Sequence, residues 1–213
     1  MHASSPGRGR IALAVVVALL AMFAARPATA GQFNKVVSPG DKAPAWVDLP
    51  GVDGKKHSLA DLAGQDVVVL AFICNSCPAA VDYEDRIIAL AKKYGNGRGK
   101  VAVIAVNVNT IPADRLDKMQ DRAKAKNFPF PYLYDESQKI ARDYGASYTP
   151  EFFVLDRERR IAYCGALDDR SPPAAANRHY VDEAIRAVLD GRRPEVAETL
   201  ARGCMIRFAR PKR

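Results

Sequence analysis

The sequence has no N-terminal apolar run long enough to cross a bilayer: Ile11 to Ala25 gives fifteen residues, where a spanning helix needs roughly 20. It has instead the pattern of an export leader. Arg8 and Arg10 precede the run and Ala28-Thr29-Ala30 follows it, which predicts cleavage before Gly31. A retained anchor is the alternative, and the absence of a cysteine after the run excludes a lipid anchor. The expected mature protein is periplasmic or otherwise extracytoplasmic and keeps no stable membrane span. Histidine is scarce, with only His57 and His179 beyond the leader, and no second closely spaced pair joins Cys74 and Cys77. A four-ligand zinc site is therefore short of ligands, and neither a metal nor any other cofactor is expected. There is no internal repeat and no low-complexity tract.

Charge is modest. The net charge of +8 includes three leader arginines and no leader acid, so the mature chain carries 8 minus 3, or +5. Much of it lies in a basic tail from about residue 195, where Arg202, Arg207, Arg210, Lys212 and Arg213 read as a solvated end. An exported chain with this balance is not expected to bind nucleic acid. Removing residues 1–30 leaves 183 residues, 31–213, a length that suits one domain.

The elements alternate. Val67 to Ile73 is a continuous apolar, β-branched run, the pattern of a strand buried on both faces. A helix is predicted from Pro78, with Ala80, Tyr83, Ile87, Ala91 and Tyr94 on one face and glycines closing it. Val101 to Val108 is a second central strand. Pro112 opens a second helical stretch carrying Leu116, Met119 and Ala123, and a short strand is predicted at 132–134 and a brief helix over 137–144. Glu151 to Leu155 and Arg160 to Gly165 flank a polar turn and read as a hairpin, and a last helix is expected from about Asn177 to Leu189. Upstream, Trp46 to Leu49 and the turn Asp53-Gly54 suggest a small β-hairpin before the core. The pattern gives an α/β fold, a central sheet with helices on both faces.

Four cysteines in an oxidising compartment allow three pairings. Cys74 and Cys77, two residues apart between a buried strand and a helix, have the spacing and setting of a redox pair. An unperturbed thiol is mostly protonated at neutral pH, and free N–H groups at a helix start favour the thiolate that attacks disulfides. This assigns attack to Cys74 and resolution of the mixed disulfide to Cys77. A structural disulfide would not account for the strand before the pair and the helix after it. Cys164 with Cys204 is a guess, and Cys204 has three open readings: a resolving thiol, a partner of Cys164, or free. Asp168-Asp169, His57 and His179 read as surface residues. Thr149-Pro150 stands before a strand, where proline is often only a turn residue. A cis bond there would turn the Thr149 backbone outward to pair with an extended substrate.

Ser38 to Leu189 resembles the thioredoxin-like superfamily, closest to its redoxin, peroxiredoxin-like branch. The matches are Asp53-Gly54 with Ser58-Leu59-Ala60-Asp61-Leu62, Phe72-Ile73-Cys74-Asn75-Ser76-Cys77-Pro78, and Tyr148-Thr149-Pro150-Glu151. The resemblance implies a thioredoxin-like fold with a central mixed sheet, an N-terminal β-hairpin extension, Cys74 as nucleophile, and a cis Thr149–Pro150 bond at a substrate-binding edge. Ile73 stands where thioredoxins place tryptophan, and Ala71 stands where peroxiredoxins want threonine or serine. The expected activity is thiol–disulfide exchange on exported proteins, with protein disulfides or dithiols as substrates and an electron donor still to be identified. The alternatives are a thiol peroxidase and, at lower weight, a copper-binding chaperone, whose cysteines would be spaced by three residues rather than two.

Overall fold

A computed structural model describes residues 31–95, 100–171 and 173–209, so the leader read from residues 1–30 lies outside it. The apolar run forms β3 (Val67–Phe72), after a small antiparallel pair, β1 (Leu49–Pro50) with β2 (Lys56–His57), which is the expected N-terminal hairpin. Every residue of β3 is buried, which an apolar strand allows only when both of its faces are covered. Then follow α1 (Pro78–Tyr94), β4 (Val101–Asn107), α2 (Leu116–Lys126), β5 (Tyr132–Tyr134), α3 (Lys139–Tyr144), β6 (Tyr148–Thr149), β7 (Glu151–Leu155), β8 (Ile161–Gly165), α4 (Tyr180–Leu189) and β9 (Cys204–Met205).

The central sheet has the order β5-β4-β3-β7-β8, parallel between β3, β4 and β5 and antiparallel between β3, β7 and β8. Because side chains alternate along a strand, β3 feeds two cores. Val67, Val69 and Ala71 pack with Ile87 of α1, Met119 of α2 and Ile185 of α4. Val68, Leu70 and Phe72 pack with Ile140 and Tyr144 of α3 and with Val37 and Trp46 upstream. No helix among the described residues is long and apolar enough to cross a membrane.

The structure departs from the sequence pattern in four places. Pro112 starts a separate 3₁₀ turn, Pro112–Asp114, and the extended backbone of Arg115 divides it from α2. The division lets Asn107 Nδ2 reach the Asp114 carbonyl at 2.6 Å. The last helix begins at Tyr180 rather than Asn177, because Asp169 Oδ1 takes the N–H groups of Asn177 and Arg178 and holds that stretch out of the helix. Asp168 is not a surface residue: only 4% exposed, it receives Arg86 at 2.7 Å and the Tyr83 hydroxyl at 3.1 Å, which ties the loop after β8 to α1.

The tail is the fourth departure. Arg202 and Arg207 are exposed, but the backbone is docked: β9 pairs antiparallel with β6, Tyr148 opposite Met205 and Thr149 opposite Cys204. Ile206 is buried and donates to the Ser147 carbonyl, and the Gln138 side chain bridges the Arg207 carbonyl and the Ala209 N–H. The clustered charge hid a short segment that fills an apolar slot. Upstream of it, Glu198 collects the consecutive N–H groups of Gln32, Phe33 and Asn34, joining the two ends of the described chain.

Candidate active site

The end of β3 delivers Ile73 and Cys74 to the edge of the sheet, and the chain turns through Asn75 and Ser76 into α1. Pro78 occupies the first helical position, where its missing N–H costs nothing, and that makes Cys77 the N-cap residue. The Cys77 sulfur accepts the Ala80 N–H at 3.3 Å. It also lies 3.0 Å from the Thr149 carbonyl. The helix-start donor thus reaches Cys77 and not Cys74, which stands three residues ahead of the cap; the sequence pattern assigned that benefit to Cys74.

The Cys74 sulfur has hydroxyl neighbours, Thr149 Oγ1 at 3.5 Å and Ser76 Oγ at 3.8 Å. The two sulfurs act on each other's protonation. The Cys74 thiol, with help from Cys204, Thr149 and the Ala80 N–H, draws the Cys77 thiol below its ordinary value against the effect of burial. The Cys77 sulfur, burial and the Asp114 carboxylate hold the proton on Cys74 and raise it. The pair titrates as a unit, with Cys77 held down and Cys74 held up.

The intervening loop is fixed by residues that the sequence reading did not single out. Asp114, fully buried, accepts the Ser76 N–H at 2.9 Å and the Ser76 hydroxyl at 2.6 Å. Asn75 donates to the Ala113 carbonyl and accepts from the Tyr132 hydroxyl. No local motif marks Asp114 for this role; it is found only because β4 and β5 place the 3₁₀ turn beside the loop.

The Thr149–Pro150 peptide is cis. Thr149 lies within reach of both cysteines, and Glu151, the next residue but one, uses Oε2 to accept the N–H groups of Ser147 and Tyr148. Burial pushes the Glu151 carboxyl up to about 6 against those two donors. The edge of Thr149 is occupied by β9 of the same chain, so a segment that the sequence reading left free for substrate already has a partner.

The other cysteines are separated by the sheet. Cys164, in β8, packs into the core that holds Val68 and Phe153, whereas Cys204 packs against the core that holds Cys74 and Cys77. Packed against different cores on either side of the sheet, they are not placed to form the guessed Cys164–Cys204 pair. Burial pushes the Cys164 thiol up to about 12, with Glu198 and Glu151 adding negative charge nearby. His57 pairs with Asp53 at 3.1 Å, and His179 is exposed. Among the described residues no group of three or more histidine, cysteine or acidic side chains is arranged to hold a metal ion.

Residues 39–164 match the model of the AhpC/TSA family. The chain belongs to that family. Its fold is the thioredoxin-like one of the redoxins, whose members are oxidoreductases. A candidate peroxiredoxin of Mycobacterium tuberculosis, Rv2521, is 32% identical over 52% of this chain and 65% of its own length. The thiol-disulfide oxidoreductase ResA of Bacillus anthracis is 26% identical over 57% of this chain and 66% of its own. Both matches span just under two thirds of the relative. A hypothetical protein from Sinorhizobium meliloti 1021 covers 81% of this AhpC/TSA chain and 96% of its own, at 34% identity and a TM-score of 0.75. An uncharacterized conserved protein from Geobacillus kaustophilus covers 83% of this chain and 94% of its own at 33% identity, also with a TM-score of 0.75. The family match ends at Cys164, before the tail that carries Cys204.

Proposed function

We propose that this protein is an exported thiol–disulfide oxidoreductase that reduces or exchanges disulfides in proteins outside the cytoplasm through Cys74 and Cys77. The observation that carries the reading is the cysteine pair at the strand-to-helix junction, with Cys77 as the cap of α1. Cys77 is walled by the Thr149 carbonyl and the Ala80 N–H, whereas Cys74 opens toward the half-buried Asn75 and exposed Ser76. Attack therefore falls to Cys74. As its sulfur bonds to one sulfur of a substrate disulfide, its proton passes to the Cys77 thiolate and the other substrate sulfur leaves as thiolate. Cys77, after losing the proton to that leaving thiolate, attacks Cys74; the second substrate sulfur departs, and the protein holds the Cys74–Cys77 disulfide. A dithiol donor then returns it to the reduced form.

A second reading, a thiol peroxidase, is favoured by the peroxiredoxin-named relative. Against it, the charged group acting on Cys74 is a carboxylate, Asp114, where a peroxide-reducing thiol wants a cation. Trapping separates the possibilities. Cys77→Ser is expected to accumulate mixed disulfides with exported proteins that disappear on adding reductant, and Cys74→Ser to trap none. The reverse pattern would exchange the roles of the two cysteines. Full insulin-disulfide exchange by both variants, or catalytic loss of hydrogen peroxide with no exchange at all, would sink the proposal. Export is tested by mass spectrometry of the secreted chain, expected to begin near Gly31.

A further inference from the structure

We propose that Cys204 is a third redox-active thiol of this site, exchanging with the Cys74–Cys77 disulfide while its tail occupies the edge at Thr149. The inference rests on the exchange activity proposed above. Cys204 sits opposite Thr149 in the β6–β9 pair, and Thr149 is the residue whose carbonyl meets the Cys77 sulfur and whose hydroxyl meets the Cys74 sulfur. The same Thr149 hydroxyl lies 3.5 Å from the Cys204 carbonyl. Cys204 packs against the core cluster that holds Cys74 and Cys77, which puts it on the same face of the sheet as the pair.

Three features make this approach a built one. A Cβ at Gly203 would overlap the Thr149 carbonyl oxygen, so only glycine lets the tail come so close. Downstream, Asn109, Gln138 and Ser147 hold the tail backbone through Ile206, Arg207 and Ala209. Cys204 is also partly exposed, unlike the other three cysteines, so it can meet solvent-borne thiols or disulfides.

The step balances without an added oxidant. The Cys204 thiolate attacks the Cys77 sulfur of the Cys74–Cys77 disulfide, the Cys77–Cys204 bond forms, and the Cys74–Cys77 bond breaks. Cys74 leaves as thiolate and takes up the proton that Cys204 gave up; nothing is oxidised or reduced overall. Charge favours this order. In the reduced protein the Cys77 sulfur is the first cause holding the Cys204 proton in place, with burial second; oxidation of the pair removes the first of these. The product staples the tail across the edge where an extended substrate would pair and leaves Cys74 as a free thiol.

Trypsin separates the thiols cleanly, since Cys74 and Cys77 share peptide 57–86, Cys164 lies in 161–170 and Cys204 in 203–207. The purified full chain and its Cys74→Ser variant are equilibrated with oxidised glutathione, alkylated, digested and read by mass spectrometry. A cross-link between peptides 57–86 and 203–207 is expected in both. Gly203→Ala in the Cys74→Ser background, checked for folding by circular dichroism, is expected to reduce the cross-link at least tenfold. If Cys77 instead takes glutathione in Cys74→Ser while Cys204 remains alkylated, the proposal is overturned; a cross-link undiminished in folded Gly203→Ala overturns the docked-tail route. Insulin-disulfide exchange by the wild type is measured separately. Its absence would undo the proposed activity without altering the cross-link reading.

Discussion

Cys77 and Cys164 are both almost fully buried, both lie beside the central sheet, and they face opposite protonation. Cys77 caps a helix and is met by an N–H and a neighbouring thiol, so its pKa falls below the ordinary thiol value. Cys164 is met by apolar side chains and by the carboxylates of Glu198 and Glu151, so its pKa rises to about 12. Burial alone raises a thiol; the sign is decided by whether donors or negative charges share the site. One face of the sheet therefore holds the pair proposed to carry the chemistry, and the other holds a thiol kept protonated by its packing.

The largest test of that contrast is activity. Cys74→Ser and Cys77→Ser are each expected to lower disulfide-exchange turnover at least about a thousandfold, as loss of a member of a catalytic unit does, whereas Cys164→Ala should stay within about twofold. Insulin-disulfide reduction under a fixed donor concentration reads all three. Loss of activity in Cys164→Ala at unchanged folding would break the comparison.

The next largest effect concerns the support of α1. Asp168→Ala leaves Arg86 without its buried partner, and removing one member of such a pair costs about 3 kcal/mol. Denaturant unfolding is expected to show that loss, and a change below about 1 kcal/mol would mean that water replaces the carboxylate.

Glu151 lies between the two regions and supplies a pH signature. Its folded pKa, about 6, is above its ordinary value of 4.5, so the folded protein holds a proton that the unfolded chain releases. Its contribution is fully present below about pH 4.5 and is lost as pH rises through about 6, a fall of about 2 kcal/mol at 1.36 kcal/mol per unit. Glu151→Gln keeps an oxygen for the Ser147 and Tyr148 N–H groups and is expected to remove this pH dependence. The difference between the two proteins' unfolding free energies at pH 4.5 and pH 7 checks it, and an unchanged slope would place the titration elsewhere.

The smallest effect is on stability at Cys164 itself, where trimming the buried sulfur in Cys164→Ala should cost about 1 kcal/mol. In the native protein Cys164 should also stay unreacted with iodoacetamide at pH 8 while the half-exposed Cys204 is modified. Equal labelling of the two would erase the distinction drawn from burial.

The strands β3 and β4, helix α1 and the hairpin β7–β8 were legible in the chain because each has the periodicity of its own burial: unbroken apolar runs for strands covered on both faces, a three-to-four spacing for a helix covered on one. The Cys74–Cys77 pair was legible too, since its spacing and its place between strand and helix are local. What the sequence by itself determined is therefore the run of the main elements, the placing of Cys74 and Cys77 between β3 and α1, and the proline before β7. Tertiary structure alone decided which sulfur receives the helix-start N–H, because that depends on Cys77 rather than Cys74 being the cap. It alone placed Asp114 under Ser76 and Asp168 against Arg86, contacts between residues far apart in the chain. It also set Cys204 beside Cys77 and put Cys164 across the sheet, because a two-residue strand such as β9 has no periodicity to read and is formed only when β6 offers it an edge.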